Sequence, residues 1–259
     1  MTGETGETGE ANAYDATRSD GVLRVHRPDT EWLSTGWNGG RRVASAAYNV
    51  SVPEGWNRTD LEAYVGERLE RAGFDTPPEA PVLLTGVDQN DARGARCGSV
   101  TAYATAGISN PAALPMADDD ASTVDHGPDD VTSSVPPGRG TVNVIIGTTR
   151  ALEPGALANL IAVGAEAKAT TLLAETGFPG TTTDAIVVGH DPTGERVAFS
   201  GSGTDVGAAT RACVRDAVRA ALEAHYDDGD HTLPESVAEA PYGVSTDMRA
   251  TVFDPTEGS

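Results

Sequence analysis

Residues 154–190 read PGALANLIAVGAEAKATTLLAETGFPGTTTDAIVVGH, and the fold turns on them. Pro154 heads an Ala/Leu-rich run and Gly177 follows its last periodic residue, which predicts one long helix over 154–176. The turn GTTTD (180–184) then leads into TDAIVVGH (183–190), a run with strand character. Inside the helix stands Lys168, the sole lysine of the chain; every other basic residue is arginine. At about 100° per residue, Leu157, Leu160, Ile161 and Leu172 point in one direction, Lys168 falls near its middle and Glu166 lies roughly opposite. A lysine on a buried stripe needs a partner or a depressed pKa, unless its ammonium snorkels to water. Its singularity favours a role for a compact point charge, or for a group that can lose its proton.

Working outward, strands are expected over 22–27, 31–37 and 41–52, followed by a helix over LEAYVGERLERAGF (61–74), capped by Thr59 or Asp60 and stopped by Gly73. Further strands are expected over 81–87, 99–108 and 141–149. TDAIVVGH and RVAFSG (196–201) read as a hairpin around DPTGE, and a last helix is expected over 205–225. This order lacks the strict alternation of a doubly wound fold. It predicts the α+β class: a single layered domain in which a mixed β-sheet packs with helices. The domain is expected over 21–226, after a disordered acidic segment 1–20. Residues 116–140 form an acidic, Pro/Gly-rich loop insertion, and 227–259 a tail that docks through Tyr242, Val244 and Phe253.

The chain has 259 residues, 39 acidic against 18 basic, a net charge of -21 and a pI near 4.4. The carboxylates run along the whole length, the pattern of proteins adapted to concentrated salt, where the Debye length is about 3 Å at 1 M. Nothing resembles a basic stripe, which argues against nucleic acid. Cys97 and Cys213 are too few for a disulfide framework and lack zinc spacing. MTGETGETGE has no apolar core of a signal peptide, and no apolar run is long enough to suggest a membrane span. A cytoplasmic protein is expected, with homo-oligomerisation left open.

Chemistry is expected where small polar turns close strands. GTTTDAI gathers hydroxyls and Asp184 at a sheet edge, so that Thr181 or Thr183 is a nucleophile, a substrate donor or a plain loop residue. FSGSGTDVG (199–207) offers backbone N–H groups near Ser202 and Gly203 to an anion, or an N-cap at Thr204 or Asp205. LSTGWNGG (33–40) sets Trp37, Asn38 and Gly39 at a strand end, and TAGISNP (105–111) does the same for Ser109 and Asn110. The five histidines form no metal signature. His190 reads as a solvated loop residue or an acid/base group, and Cys97 as an idle thiol.

Taken in order, LSTGWNGG, LLTGV, TAYATAGISNP, GTVNVIIGT, AEAKATTLLAETG, GTTTDAI and FSGSGTDVG resemble the adenosylcobinamide amidohydrolase (CbiZ) family over about residues 32–221. Position 182 departs from it: the family's threonine motif has glycine where this chain has Thr182. The resemblance implies hydrolysis of the amide that joins a corrin propionyl side chain to aminopropanol. The products would be adenosylcobyric acid and 1-amino-2-propanol, in corrinoid salvage for coenzyme B12 synthesis. It implies a corrinoid substrate, whose cobalt comes with it, and no separate cofactor or metal site. Within it, Asp184 or Glu166 would be the base or would orient Thr183 or water, and Lys168 would stabilise the oxyanion or protonate the amine. Ser202 and Gly203 would complete the oxyanion hole. Trp37, Asn38, Gly39, Ser109, Asn110 and Thr181 would bind substrate. A corrinoid-binding protein without hydrolysis is the alternative, as is a threonine-nucleophile hydrolase of another amide, self-cleaved before Thr181.

Overall fold

The structure, a computed structural model, describes residues 13–53, 55–75, 79–116, 140–227, 229, 231–240 and 242–255. Its first part comprises β1 (Asp15–Ser19), β2 (Val22–Ser34), β3 (Gly40–Ser51), α1 (Leu61–Arg71), β4 (Val82–Thr85), β5 (Arg93–Cys97) and β6 (Val100–Thr105). There follow β7 (Ala112–Ala113), β8 (Asn143–Thr148), β9 (Ala151–Leu152), α2 (Pro154–Thr176), β10 (Ala185–His190), β11 (Arg196–Val197), α3 (Asp205–Tyr226) and β12 (Val244–Ser245). The main sheet runs β4-β3-β2-β10-β8-β6-β5, with β1 on β2, and is mixed: β3–β4 and β8–β10 are parallel, the other pairs antiparallel.

One long strand organises the layers. β2 shifts register between His26 and Thr30, where Asp29 takes φ 52°. Its first half pairs with β1 and its second half with β10, while β3 follows it throughout. The bulge lets the sheet fold over on itself. Asn143 of β8 donates to Asn49 of β3 and to the carbonyl of Leu84 in β4, both at 2.9 Å, although none of these strands are ladder neighbours of β8.

Three apolar cores are stacked by that fold. Tyr14, Val25, Trp32, Leu83, Ile145 and Val187 fill the space between the two halves of the sheet. Val144, Ile146, Ile186 and Val188, the alternate residues of β8 and β10, pack outward against α2 and α3. Tyr48, Val50 and Val82 pack against Tyr64, Val65 and Leu69 of α1 on the opposite outer side. The layers are therefore α, β, β, α. Central strands covered on both sides are near-continuously apolar, and NVIIGT of β8 is buried throughout, its polar ends Asn143 and Thr148 being hydrogen-bonded.

The expected α+β class and mixed sheet hold, and α2 spans the expected residues, closed by Gly177 at φ 77°. Four expectations need correction. First, β10 and β11 do not form a hairpin: β10 lies between β2 and β8, and β11 pairs with β9. Second, residues 13–20 of the supposed disordered segment belong to the fold. Tyr14 is fully buried, packs edge-on against Trp32 and lies over Gly147, where no Cβ would fit. Third, the strand expected over 31–37 continues β2 and stops at Ser34. Fourth, by length and composition α2 would pass for a membrane-crossing helix, because alanine carries much of its apolar character; half of its most apolar window is buried against the sheet and α3.

Residues 1–12 and 117–139, the greater part of the expected acidic segment and insertion, lie outside the described residues. In the tail Val244 pairs with Ala112, and Ala240 is buried, whereas Phe253 is 80% exposed, so the expected docking through Phe253 is not seen among the described residues.

Candidate active site

The chain reaches the site by a fixed route. The N–H of Gly177 donates to Leu173 O, and Phe178 buries its ring. Gly180 O accepts from Ala112 N at 3.0 Å and Asn110 O accepts from Thr182 N at 3.1 Å, which straps the turn 180–184 to the segment after β6. Thr182 avoids the left-handed backbone region, so a side chain is accommodated where the family motif has glycine.

Lys168 reaches this turn from the buried side of α2 and forms an ion pair with Asp184, the two side chains being 10% and 11% exposed. Asp184 takes three more donors. Oδ1 accepts from Val142 N at 2.9 Å and from the Thr181 hydroxyl, and Oδ2 accepts from Thr181 N at 3.1 Å. A carboxylate offers about four acceptor sites, so this one is full. Gly180 is required here: a Cβ would stand 2.6 Å from Asp184 Oδ2 and 3.2 Å from Lys168 Nζ.

Above the ion pair, at the open end between the two halves of the sheet, lies a cleft of about 390 Å³. Its walls come from Thr35–Trp37 after β2, Val52 after β3, Leu83–Thr85 of β4 with Gly86 after it, and Asn110, Thr141 and Thr183–Ala185. Among these residues Asp184 is the one titratable side chain. Thr183 is exposed; its Oγ1 lies 2.7 Å from Thr141 Oγ1 and accepts from Asn110 Nδ2 at 3.3 Å. Trp37, 43% exposed, stands between this cleft and a second depression over Thr59–Ala63.

The expected site residues divide. Lys168, Asp184, Thr181, Thr183 and Asn110 are brought together, with Trp37 at the rim. Ser109 is adjacent but occupied, its Oγ accepting from Gly140 N at 2.6 Å. Asn38 serves the fold: Nδ2 donates to Ala80 O at 2.8 Å and Oδ1 accepts from Val82 N at 3.0 Å. Gly39 packs on the carbonyls of Ser34 and Gly36 in the same turn.

Glu166 points to solvent and pairs with Arg211 at 3.4 Å, as its place opposite Lys168 on the helix requires. Leu173 is exposed, so α2 is not buried on both sides. Ser202 lies in a shallow depression between α2 and α3, and Thr204 caps α3 by accepting from Gly207 N at 3.1 Å. Neither Ser202 nor Gly203 lines the cleft. Thr141 and Thr35 were missed; a threonine flanking an apolar strand carries no signal of its own.

His190 is buried at the other end of β10, with Nδ1 accepting from Leu152 N at 2.9 Å, and burial lowers its pKa. It is therefore not a solvated loop residue. Burial pushes the Cys213 thiol up to about 11, which suits a packing role. Among the described residues no group of three or more His, Cys, Asp or Glu could hold a metal ion.

Comparison with known proteins places this chain in a family. The model for adenosylcobinamide amidohydrolase matches residues 4–230. An adenosylcobinamide amidohydrolase of Halobacterium salinarum is 55% identical over 93% of this chain and 100% of its own length. One of Methanosarcina mazei is 29% identical over 77% of this chain and 93% of its own. Among solved structures, an l-aminopeptidase d-Ala-esterase/amidase from Ochrobactrum anthropi shows 10% identity and a TM-score of 0.36, covering 82% of this chain and 83% of that one, a likeness too loose to carry a conclusion. The chain belongs to the adenosylcobinamide amidohydrolase family.

Proposed function

We propose that this chain hydrolyses the amide between the corrin propionyl arm of adenosylcobinamide and aminopropanol. The products are adenosylcobyric acid and 1-amino-2-propanol, and the reaction serves corrinoid salvage for coenzyme B12 synthesis. The observation that carries this reading is the exposed residue Thr183 in a cleft between the two halves of the sheet, its hydroxyl held by Thr141 and Asn110. A cleft of about 390 Å³ suits the arm of the substrate. Pockets of about 300–1,000 Å³ enclose drug-sized molecules, and a corrinoid is larger. The ring therefore rests outside, against Trp37.

On this reading Thr183 is the nucleophile. Its Oγ bonds to the carbonyl carbon as the C–N bond breaks, the hydroxyl proton passes through Thr141 Oγ1 to the departing nitrogen, and water then hydrolyses the ester. Asp184, with its acceptor sites filled, fixes the turn that presents Thr183, and Lys168 is a positioning residue acting through Asp184. Cobalt arrives with the substrate, and no separate cofactor enters. The acidic composition and the relative from Halobacterium salinarum support work in concentrated salt, and the proposed place of that work is the cytoplasm.

The test is incubation with adenosylcobinamide under high salt, with corrinoid and amine products separated by chromatography. Release of 1-amino-2-propanol in step with adenosylcobyric acid is expected. Intact ligand with a shifted visible spectrum would make the protein a binder and end the hydrolase reading.

A further inference from the structure

Asn110 is the incomplete member of the cleft. The residue is fully buried, yet it forms part of the cleft wall. Its nitrogen is occupied: Nδ2 donates to Thr182 Oγ1 at 2.7 Å and to Thr183 Oγ1 at 3.3 Å. Its backbone carbonyl is occupied too, accepting from Thr182 N at 3.1 Å. Oδ1, by contrast, has no partner among the described residues. A buried oxygen left without a donor is destabilising and uncommon in folded proteins. Here it stands on the side chain that also holds the hydroxyl of Thr183, an exposed residue of the cleft. An unpaired acceptor on a residue that both lines the cleft and holds Thr183 fits a donor that arrives with the substrate.

We infer that Asn110 Oδ1 accepts the N–H of the scissile amide. This deepens the proposed hydrolase function and rests on it. One side chain then positions both reactants, the amide through Oδ1 and Thr183 through Nδ2. The N–H bond to Oδ1 fixes the plane of the amide and so the face that its carbonyl carbon turns to Thr183. As the C–N bond breaks, the nitrogen keeps the hydrogen it shares with Asn110 and takes up the proton released by Thr183. It leaves as a neutral amine, and Asn110 neither gains nor loses a proton. Selectivity follows. An ester sets an oxygen lone pair against Oδ1, and an N-methylated amide sets a methyl group there; a site built to receive a hydrogen bond discriminates strongly against analogues that lack it.

The test compares wild type and Asn110→Ala on three substrates: adenosylcobinamide, the matching ester of adenosylcobyric acid with 1,2-propanediol, and the propylamide without the hydroxyl. Loss of the amide bond to Asn110 is expected to lower kcat/KM on both amides by about 10- to 100-fold. The ester should fall much less, so that the amide-to-ester ratio drops about tenfold or more. Equal losses on amide and ester would reduce Asn110 to a strut for the turn and overturn the inference. A loss confined to adenosylcobinamide, with the propylamide spared, would assign Oδ1 to the aminopropanol hydroxyl and also overturn it. Where Asn110→Ala does not fold, judged by circular dichroism, wild type is assayed on the N-methylated amide, and undiminished turnover there would overturn the inference. Wild type inert towards adenosylcobinamide would instead sink the hydrolase reading, an outcome separable from all of these.

Discussion

Replacing Lys168 by Met tests the buried ion pair at the base of the site. Both partners are about nine-tenths buried, so solvent screens their attraction little. Removing one partner of such a pair costs roughly 3–5 kcal/mol, because the other charge stays buried. Asp184 would retain the N–H groups of Val142 and Thr181 and the Thr181 hydroxyl, which places the expected loss at the lower end, about 3 kcal/mol. With a urea dependence of about 3 kcal/mol per M, the unfolding midpoint falls by about 1 M. The assay is urea unfolding at fixed salt, followed by fluorescence of the three tryptophans. A double-mutant cycle with Asp184→Asn should give a coupling of about 2 kcal/mol. Lys168→Arg should also destabilise, because the ammonium is wedged close to Gly180, where a planar guanidinium has no room. A loss below about 1 kcal/mol, or additive behaviour in the cycle, would refute the reasoning.

Three further outcomes are expected. Gly180→Ala should cost about 1–3 kcal/mol and most of the activity, since the new Cβ would displace Asp184; a variant with wild-type melting and turnover would contradict the packing described. His190 is held neutral by burial, with a folded pKa below its ordinary value of about 6.5. The unfolded chain then binds a proton that the folded chain resists, so stability is full above about pH 6.5 and falls as pH drops towards the folded pKa. Urea titrations at several pH values should show that slope, shallower in His190→Gln; identical slopes would remove His190 as its source. Glu166→Gln and Ser202→Ala should leave kcat/KM unchanged, and a loss of tenfold or more in either would return it to the mechanism.

The part of the fold written in local pattern is legible in the sequence. Pro154, Gly177 and the apolar spacing bound α2, and the same geometry sets Lys168 inward and Glu166 outward. Asp184 as partner of Lys168 follows less directly, since the two meet only when the strap from Asn110 to Ala112 closes the turn. Local pattern misleads where distant segments pair. DPTGE has the composition of a hairpin turn, but β10 is buried on both faces, so the lowest-energy place for it is the middle of the sheet. β1 carries few apolar residues and owes its place to Tyr14 beside it, which fills the space over Gly147 and against Trp32. Ser202 and Gly203 look like an anion site in sequence, yet the side chain of the next residue, Thr204, caps α3, and neither Ser202 nor Gly203 lines the cleft. Thr141 gives no signal because its role depends on Thr183, 42 residues later.

The central claim is that the Thr183 hydroxyl carries out amide hydrolysis in this cleft. Wild type, Thr183→Ser and Thr183→Val, each confirmed as folded, are incubated with adenosylcobinamide, and 1-amino-2-propanol is measured against adenosylcobyric acid. Wild type should release the two in equal amounts, Thr183→Ser should keep measurable turnover, and Thr183→Val should release neither while still shifting the visible spectrum of the bound corrinoid. Turnover by Thr183→Val at the wild-type rate would contradict the account.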